Sequence, residues 1–198
     1  ITEGLVGSEM CIRDSMYTVT LEERATCPKT CKHWYDCYGN TMPFAHRFKY
    51  DSHLTKKMDK ELAYLNTKKY GVLIRLHVLG DFPDLKYVEQ WEHWLDKYEN
   101  ISCYGYTAHS PKESIGGRIA RMNEQRWDRW SIRFSNYPKY KLSANSDKVS
   151  KNGITCPEQA GQTKSCGTCG LCWNKSTKRI LFMTHSRDLR KGNNERSN

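Results

Sequence analysis

No stretch of this chain approaches 18 consecutive apolar residues, so no transmembrane span is expected, and no secretory signal is legible. The short motifs of the commonest enzyme chemistries are missing too. There is no Gly-x-Ser-x-Gly elbow, His-Glu-x-x-His pair, Walker loop or dinucleotide fingerprint, which argues against hydrolase, protease, NTPase and NAD-dependent readings. Apolar residues are scarce: the hydrophobic fraction is 37% and mean hydropathy −0.82, a lean core for 198 residues. Six Trp and twelve Tyr offset part of that, because each large ring buries much area.

Cysteine and positive charge, by contrast, are plentiful. Nine cysteines without an export signal point to a reducing compartment and metal ligation rather than disulfides. The net charge of +10 suits nucleic acid or another polyanion as partner, although a solvated lysine-rich surface gives the same count. The lysines are dispersed (Lys56, Lys57, Lys60, Lys68 and Lys69, then Lys139, Lys141, Lys148 and Lys151), so charge alone does not choose.

Seven of the cysteines fall into two sets. Cys156, Cys166, Cys169 and Cys172 follow the pattern C-P-x8-C-x2-C-x2-C, with Gly167 and Gly170 giving the backbone freedom of a knuckle. Four thiolates so spaced are expected to converge on one point. Tetrahedral Zn2+ and an iron–sulfur cluster both fit, and a knot of buried or disulfide-bonded cysteines is the plain alternative. Cys27, Cys31 and Cys37 form the second set, at x3 and x5 spacing on a loop entering a helix. Three thiolates with no obvious fourth ligand suit an iron–sulfur cluster with one open iron. A structural zinc completed by His33 or another donor is the competing reading.

The remaining pattern predicts an α/β fold. Residues 1–15 look foreign to the rest, a non-native leader in which Cys11 is given no role. A short strand is expected at Tyr17–Leu21. Leu54, Met58, Leu62 and Leu65 predict a helix over roughly 53–68, and Val72–Val78 a strand with Val72, Ile74, Leu76 and Val78 on one face and Leu73, Arg75 and His77 on the other. Asp84 should cap a helix carrying Leu85, Val88, Trp91, Leu95 and Tyr98. A strand at Ile101–Thr107, a helix marked by Ile115, Ile119 and Met122, and a strand at Trp130–Ser135 follow. This alternation predicts right-handed crossovers and a parallel sheet. Charged residues on one face of two strands (Arg75 with His77, then Arg133) suggest a partial, open α/β barrel with a polar lining. The expected division is a leader at 1–15, a barrel core at 16–153 with residues 136–153 as a polar linker, a small cysteine-rich metal-binding module at 154–185 with a last strand ending at His185, and a disordered tail at 186–198.

Three elements together carry a resemblance: Thr26-Cys-Pro with Cys31 and Cys37-Tyr38; Ile74-Arg-Leu-His-Val-Leu-Gly-Asp-Phe82 with Tyr104-Gly-Tyr-Thr107; and Cys166-x2-Cys-Gly-Leu-Cys-Trp173 with Ile180-Leu-Phe and His185. Over roughly 26–186 the chain resembles the phage "gene product 88" family, which would put it in the cytoplasm of a bacterial host. More distantly it resembles radical S-adenosylmethionine (SAM) enzymes, whose cluster cysteines follow the first strand of a partial α/β barrel and some of which carry a C-terminal auxiliary cluster. That resemblance implies that Cys27, Cys31 and Cys37 hold a [4Fe–4S] cluster and that Gly80 and Asp81 hold the SAM amino group. It also implies that Arg75, His77 and Arg133 line the barrel near the substrate, as catalytic candidates, and that an external reductant is needed. The expected function is thus modification of a nucleotide, nucleic acid or peptide by an iron–sulfur protein. The alternative is a non-catalytic zinc protein with a basic nucleic-acid-binding surface.

Overall fold

The structure, a computed structural model, describes residues 2–5, 15–35, 37–146 and 152–183. Cys11, His185 and the tail from Ser186 lie outside the described residues. Eight strands form one open sheet: β1 (Thr2–Leu5), β2 (Ser15–Thr18), β3 (Val72–Leu76), β4 (Ile101–Thr107), β5 (Trp130–Ser135), β6 (Ser143–Ser146), β7 (Ile154–Thr155) and β8 (Arg179–Phe182). Their order is β1-β2-β3-β4-β5-β6-β8-β7; only the β1–β2 pair is antiparallel, which leaves seven parallel strands. Of the expected leader, Thr2–Leu5 pairs with β2.

Three helices supply the first crossovers. α1 (Ser52–Leu65) starts where the Asp51 carboxylate accepts from the Leu54 N–H at 2.8 Å, and buries Leu54, Met58, Leu62 and Leu65. α2 (Leu85–Lys97) is capped in the same way, Asp84 accepting from the Tyr87 N–H at 2.8 Å. Its buried stripe includes Tyr87 and Trp94 and leaves the expected Leu85 exposed. α3 (Ser114–Arg126) enters at Gly116, where a Cβ would come 2.0 Å from the Ser110 carbonyl oxygen, so only glycine fits that approach.

The strand alternation sorts side chains onto two faces. Val72, Ile74, Leu76, Ile101, Cys103, Trp130, Ile132 and Phe134 pack with all three helices in one large core. Burying each large side chain there stabilises the fold by roughly 1.5–3 kcal/mol. Leu73, Tyr104 and Ile180 face the other way and are covered by Cys156 and Cys172, with Trp173 and Leu171 packed alongside. The C-terminal cysteine run is therefore the cover of the face opposite α1, α2 and α3, and its flanking strands β7 and β8 belong to the same sheet as the rest.

One expectation fails outright. The supposed linker 136–153 contains β6, a fully buried strand between β5 and β8. Its sequence, Ser-Ala-Asn-Ser, hides the strand because polar residues are buried there with only part of their polar groups paired: the Asn145 amide donates to Ser143 Oγ at 2.9 Å, and the Ser146 N–H donates to Asn136 Oδ1 at 2.9 Å.

Candidate functional site at the carboxyl ends of the strands

A cavity of about 390 Å3 opens where the parallel strands end. The carboxyl edge of a parallel sheet is where α/β folds gather ligand-binding groups, since the loops there are free of the sheet's own hydrogen bonding. Cys27, Cys31 and Cys37 all line it, contributed by the long segment between β2 and α1.

That segment is held by polar ties rather than by regular structure. Arg47 grips Glu23 through two bonds of 2.6 and 2.9 Å and donates to the carbonyls of Gly39, Met42 and Ala45. This salt-bridged fork holds the Glu23 carboxyl below its ordinary range. Thr26 donates to the Glu22 carbonyl at 2.8 Å and accepts from the Asp81 N–H at 3.1 Å, which fixes Cys27 beside the loop after β3. Gly80 completes this join with φ +82, and a Cβ there would stand 2.7 Å from Thr26 Oγ1 and 2.8 Å from Leu21 Cβ. On the far side, Lys32 Nζ donates to the Asn136 carbonyl at 3.3 Å and His33 Nε2 lies 2.9 Å from the Asn136 amide nitrogen. Burial pushes the Cys27 thiol up to about 12, with Asp81, Cys31 and Cys37 close enough to add to the shift. Without a cation, Cys27 stays protonated at neutral pH.

The strand residues separate into distinct roles. Arg75 and Asp81 line the cavity with Gly80. The Asp81 carboxylate is occupied, accepting from Thr107 Oγ1 and the Phe82 N–H at 2.8 Å each and from the Ala108 N–H at 2.7 Å. It ties the loop after β3 to the end of β4. Burial raises its carboxyl pKa, while His109 and these hydrogen bonds oppose that shift. His77 borders the cavity, but its ring is turned into the helix-side core. A left-handed backbone (φ +54) breaks the strand alternation there, and the ring lies edge-on to Phe82 with Nε2 3.3 Å from the Tyr87 hydroxyl. Desolvation lowers its pKa to about 3, so the imidazole is neutral. Arg133 does not line the cavity. It is fully buried beneath the cysteine run, donating to the carbonyls of Cys172 at 2.7 Å, Asn174 at 3.0 Å, Leu171 at 3.1 Å and Lys178 at 3.3 Å, with its guanidinium 5.4 Å from the Trp127 ring. The expectation that all four surround one ligand thus narrows to Arg75, with Asp81 as a bracing group.

The C-terminal set adjoins this cavity through one side chain. Tyr106 lines the cavity and its hydroxyl donates to Cys172 Sγ at 2.8 Å. Cys166 and Cys169 flank a single helical turn, α4 (Cys166–Cys169), capped by Ser165 and stopped by Gly170 at φ +68. Burial raises the Cys166 thiol and pushes Cys172 up to about 11, each within electrostatic reach of Cys156. Among the described residues, however, no three or more His, Cys, Asp or Glu side chains, in this set or in the Cys27 set, are arranged to hold a single metal ion.

Sequence reading missed Tyr106, Asn136 and Arg47. Tyr106 had a signal, being two residues from Tyr104 on one strand face, whereas Asn136 with φ +55 and the reach of Arg47 to Glu23 depend on tertiary contacts. No helix among the described residues is long and apolar enough to cross a membrane. A family model described as Gene product 88 matches residues 5–124. No curated protein and no solved structure matches the chain.

Proposed function

The chain belongs to the gene product 88 family, and from its site we propose that it is an iron–sulfur protein of radical-SAM-like architecture acting on a nucleotide, nucleic acid or peptide. One observation carries this reading: Cys27, Cys31 and Cys37 line the same strand-end cavity as Arg75 and Gly80. The donor chemistry supports a cluster over zinc at this place. The x3 and x5 spacing of the three thiols suits a cluster with one open iron, and Nε2 of His33, the expected fourth ligand of a zinc site, lies 2.9 Å from the Asn136 amide nitrogen. Curvature supports the partial barrel. Tyr106 on β4 and Phe182 on β8 meet with ring centroids 5.4 Å apart, although β5 and β6 lie between them, a span of about 14 Å in a flat sheet.

Cys27, Cys31 and Cys37 line one cavity without being arranged around a single metal ion, and would have to draw together to hold a [4Fe–4S] cluster, which when bound supplies an electron for reductive cleavage of S-adenosylmethionine. The chain's own residues do the rest. The segment carrying the cysteines shields the cavity from water, Gly80 and Asp81 keep that segment against the strand ends, and Arg75 with Tyr106 forms the wall that a substrate meets. A reductant from the host cytoplasm is part of the reading.

Anaerobic purification with iron and sulfide analysis and a visible spectrum tests it. Broad brown absorption, and SAM cleavage lost in Cys31→Ala, are expected. Stoichiometric zinc without that absorption would replace it with the non-catalytic zinc protein, whose basic surface would then be assayed for nucleic acid.

A further inference from the structure

Beyond the cysteines, the cavity wall has a composition of its own. Its cations are Arg75 and Lys32. Its carboxylates are Asp81, whose oxygens accept from three protein donors, and Glu158, which is exposed at the rim. Its rings are Tyr106, Phe182 and Tyr137. The Arg75 guanidinium lies 5.9 Å from the Tyr106 ring centroid, so a fork of fixed positive donors stands beside an aromatic surface. For the amine of a zwitterionic peptide the lining among the described residues offers only Glu158, since Asp81 is already engaged. A planar heterocycle with an attached anion matches the wall, the ring going to the aromatics and the anion to the arginine fork. The segment carrying Cys27 to Cys37 is tied at Thr26–Asp81 on one side and at Asn136 on the other, and both ends line the cavity. A polymer strand running through would have to cross that tie.

We propose that this cavity binds a free mononucleotide, with Arg75 receiving the phosphate and Tyr106 and Phe182 walling the base. The proposal rests on the reading of this cavity as the reaction chamber and names its substrate class.

Calorimetry of the full chain with AMP, GMP, CMP and UMP, the matching nucleosides, and a single-stranded RNA pentanucleotide tests it, on the protein as purified and on Cys27→Ser protein lacking iron. At least one mononucleotide should bind one-to-one, and its nucleoside at least about 10-fold more weakly, a comparison that needs no variant. Arg75→Gln should weaken the nucleotide by about 10-fold or more and leave the nucleoside unchanged, with the melting temperature as the check on folding; Arg121→Gln on the exposed side of α3 should change neither. Binding that persists in the iron-free protein supports the assignment even if no cluster is ever found. Iron and SAM cleavage with no mononucleotide binding would overturn it while leaving the iron–sulfur reading intact. So would displacement of AMP by equimolar SAM, which would put AMP in the cofactor's place, or tighter binding of the pentanucleotide, which would make the ligand a polymer.

Discussion

Arg133 on β5 and Arg75 on β3 sit on the same face of the sheet with β4 between them, yet substitution should separate them cleanly. Replacing Arg133 by Met leaves the carbonyls of Leu171, Cys172, Asn174 and Lys178 without their buried donor and should cost about 3 kcal/mol of stability in urea titrations. Arg75→Gln should cost under about 1 kcal/mol, because its side chain is only partly buried. Equal losses would return Arg75 to a structural role. His77 sets a pH dependence. Its pKa falls from the ordinary 6.5 to about 3 on folding, so the unfolded chain takes up the proton first. The stability this contributes is complete above about pH 6.5 and is lost as pH falls toward 3. Between about pH 7 and pH 4.5 the loss should be about 2 kcal/mol, and His77→Asn, which tolerates the left-handed backbone and does not titrate, should flatten that slope in urea midpoints measured at both pH values.

Elements with a clear period or cap were legible from sequence: α1 through its stripe, α2 through its stripe and the Asp84 cap, β3, β4 and β5 through alternation. β6 was not, because nothing in Ser-Ala-Asn-Ser alternates in hydropathy and its burial depends on neighbours distant in sequence. His77 was placed on the wrong face for a related reason, since one left-handed residue cancels the period that assigned it. The paired glycines of α3 make the same point quantitatively. Gly116→Ala drives a methyl against the Ser110 carbonyl and should destabilise by about 2–3 kcal/mol, whereas at Gly117 the nearest atom is 3.6 Å away and alanine should be neutral or stabilise by up to about 1 kcal/mol. Thermal denaturation of the two variants side by side checks this; a similar effect at both would remove the close approach as the cause.

Across the whole molecule, the sequence announced where the cysteines are but not what they rest on. Cys156 and Cys172 cap Leu73, Tyr104 and Ile180 on the sheet face opposite α1, α2 and α3. A chain ending at 153 should therefore expose that face, bind a hydrophobic dye and lose cooperative unfolding, rather than persist as a trimmed but folded core. Sharp unfolding of such a truncation would show the C-terminal segment to be an independent appendage. The asymmetric fastening of the Cys27–Cys37 segment has a kinetic consequence. Its Thr26 end is built into the loop after β3 and its Cys37 end runs into the turn gripped by Arg47, while its middle hangs on two hydrogen bonds linking Lys32 and His33 to Asn136, together worth about 2 kcal/mol. The middle of the segment should then act as a drawbridge whose two moorings are open in a few per cent of molecules at any instant, about the Boltzmann share for that energy. Cutting one mooring with His33→Ala should raise the lowered fraction, and with it the alkylation rate of Cys27, by about fivefold. An unchanged rate would mean that the bridge swings on other bearings.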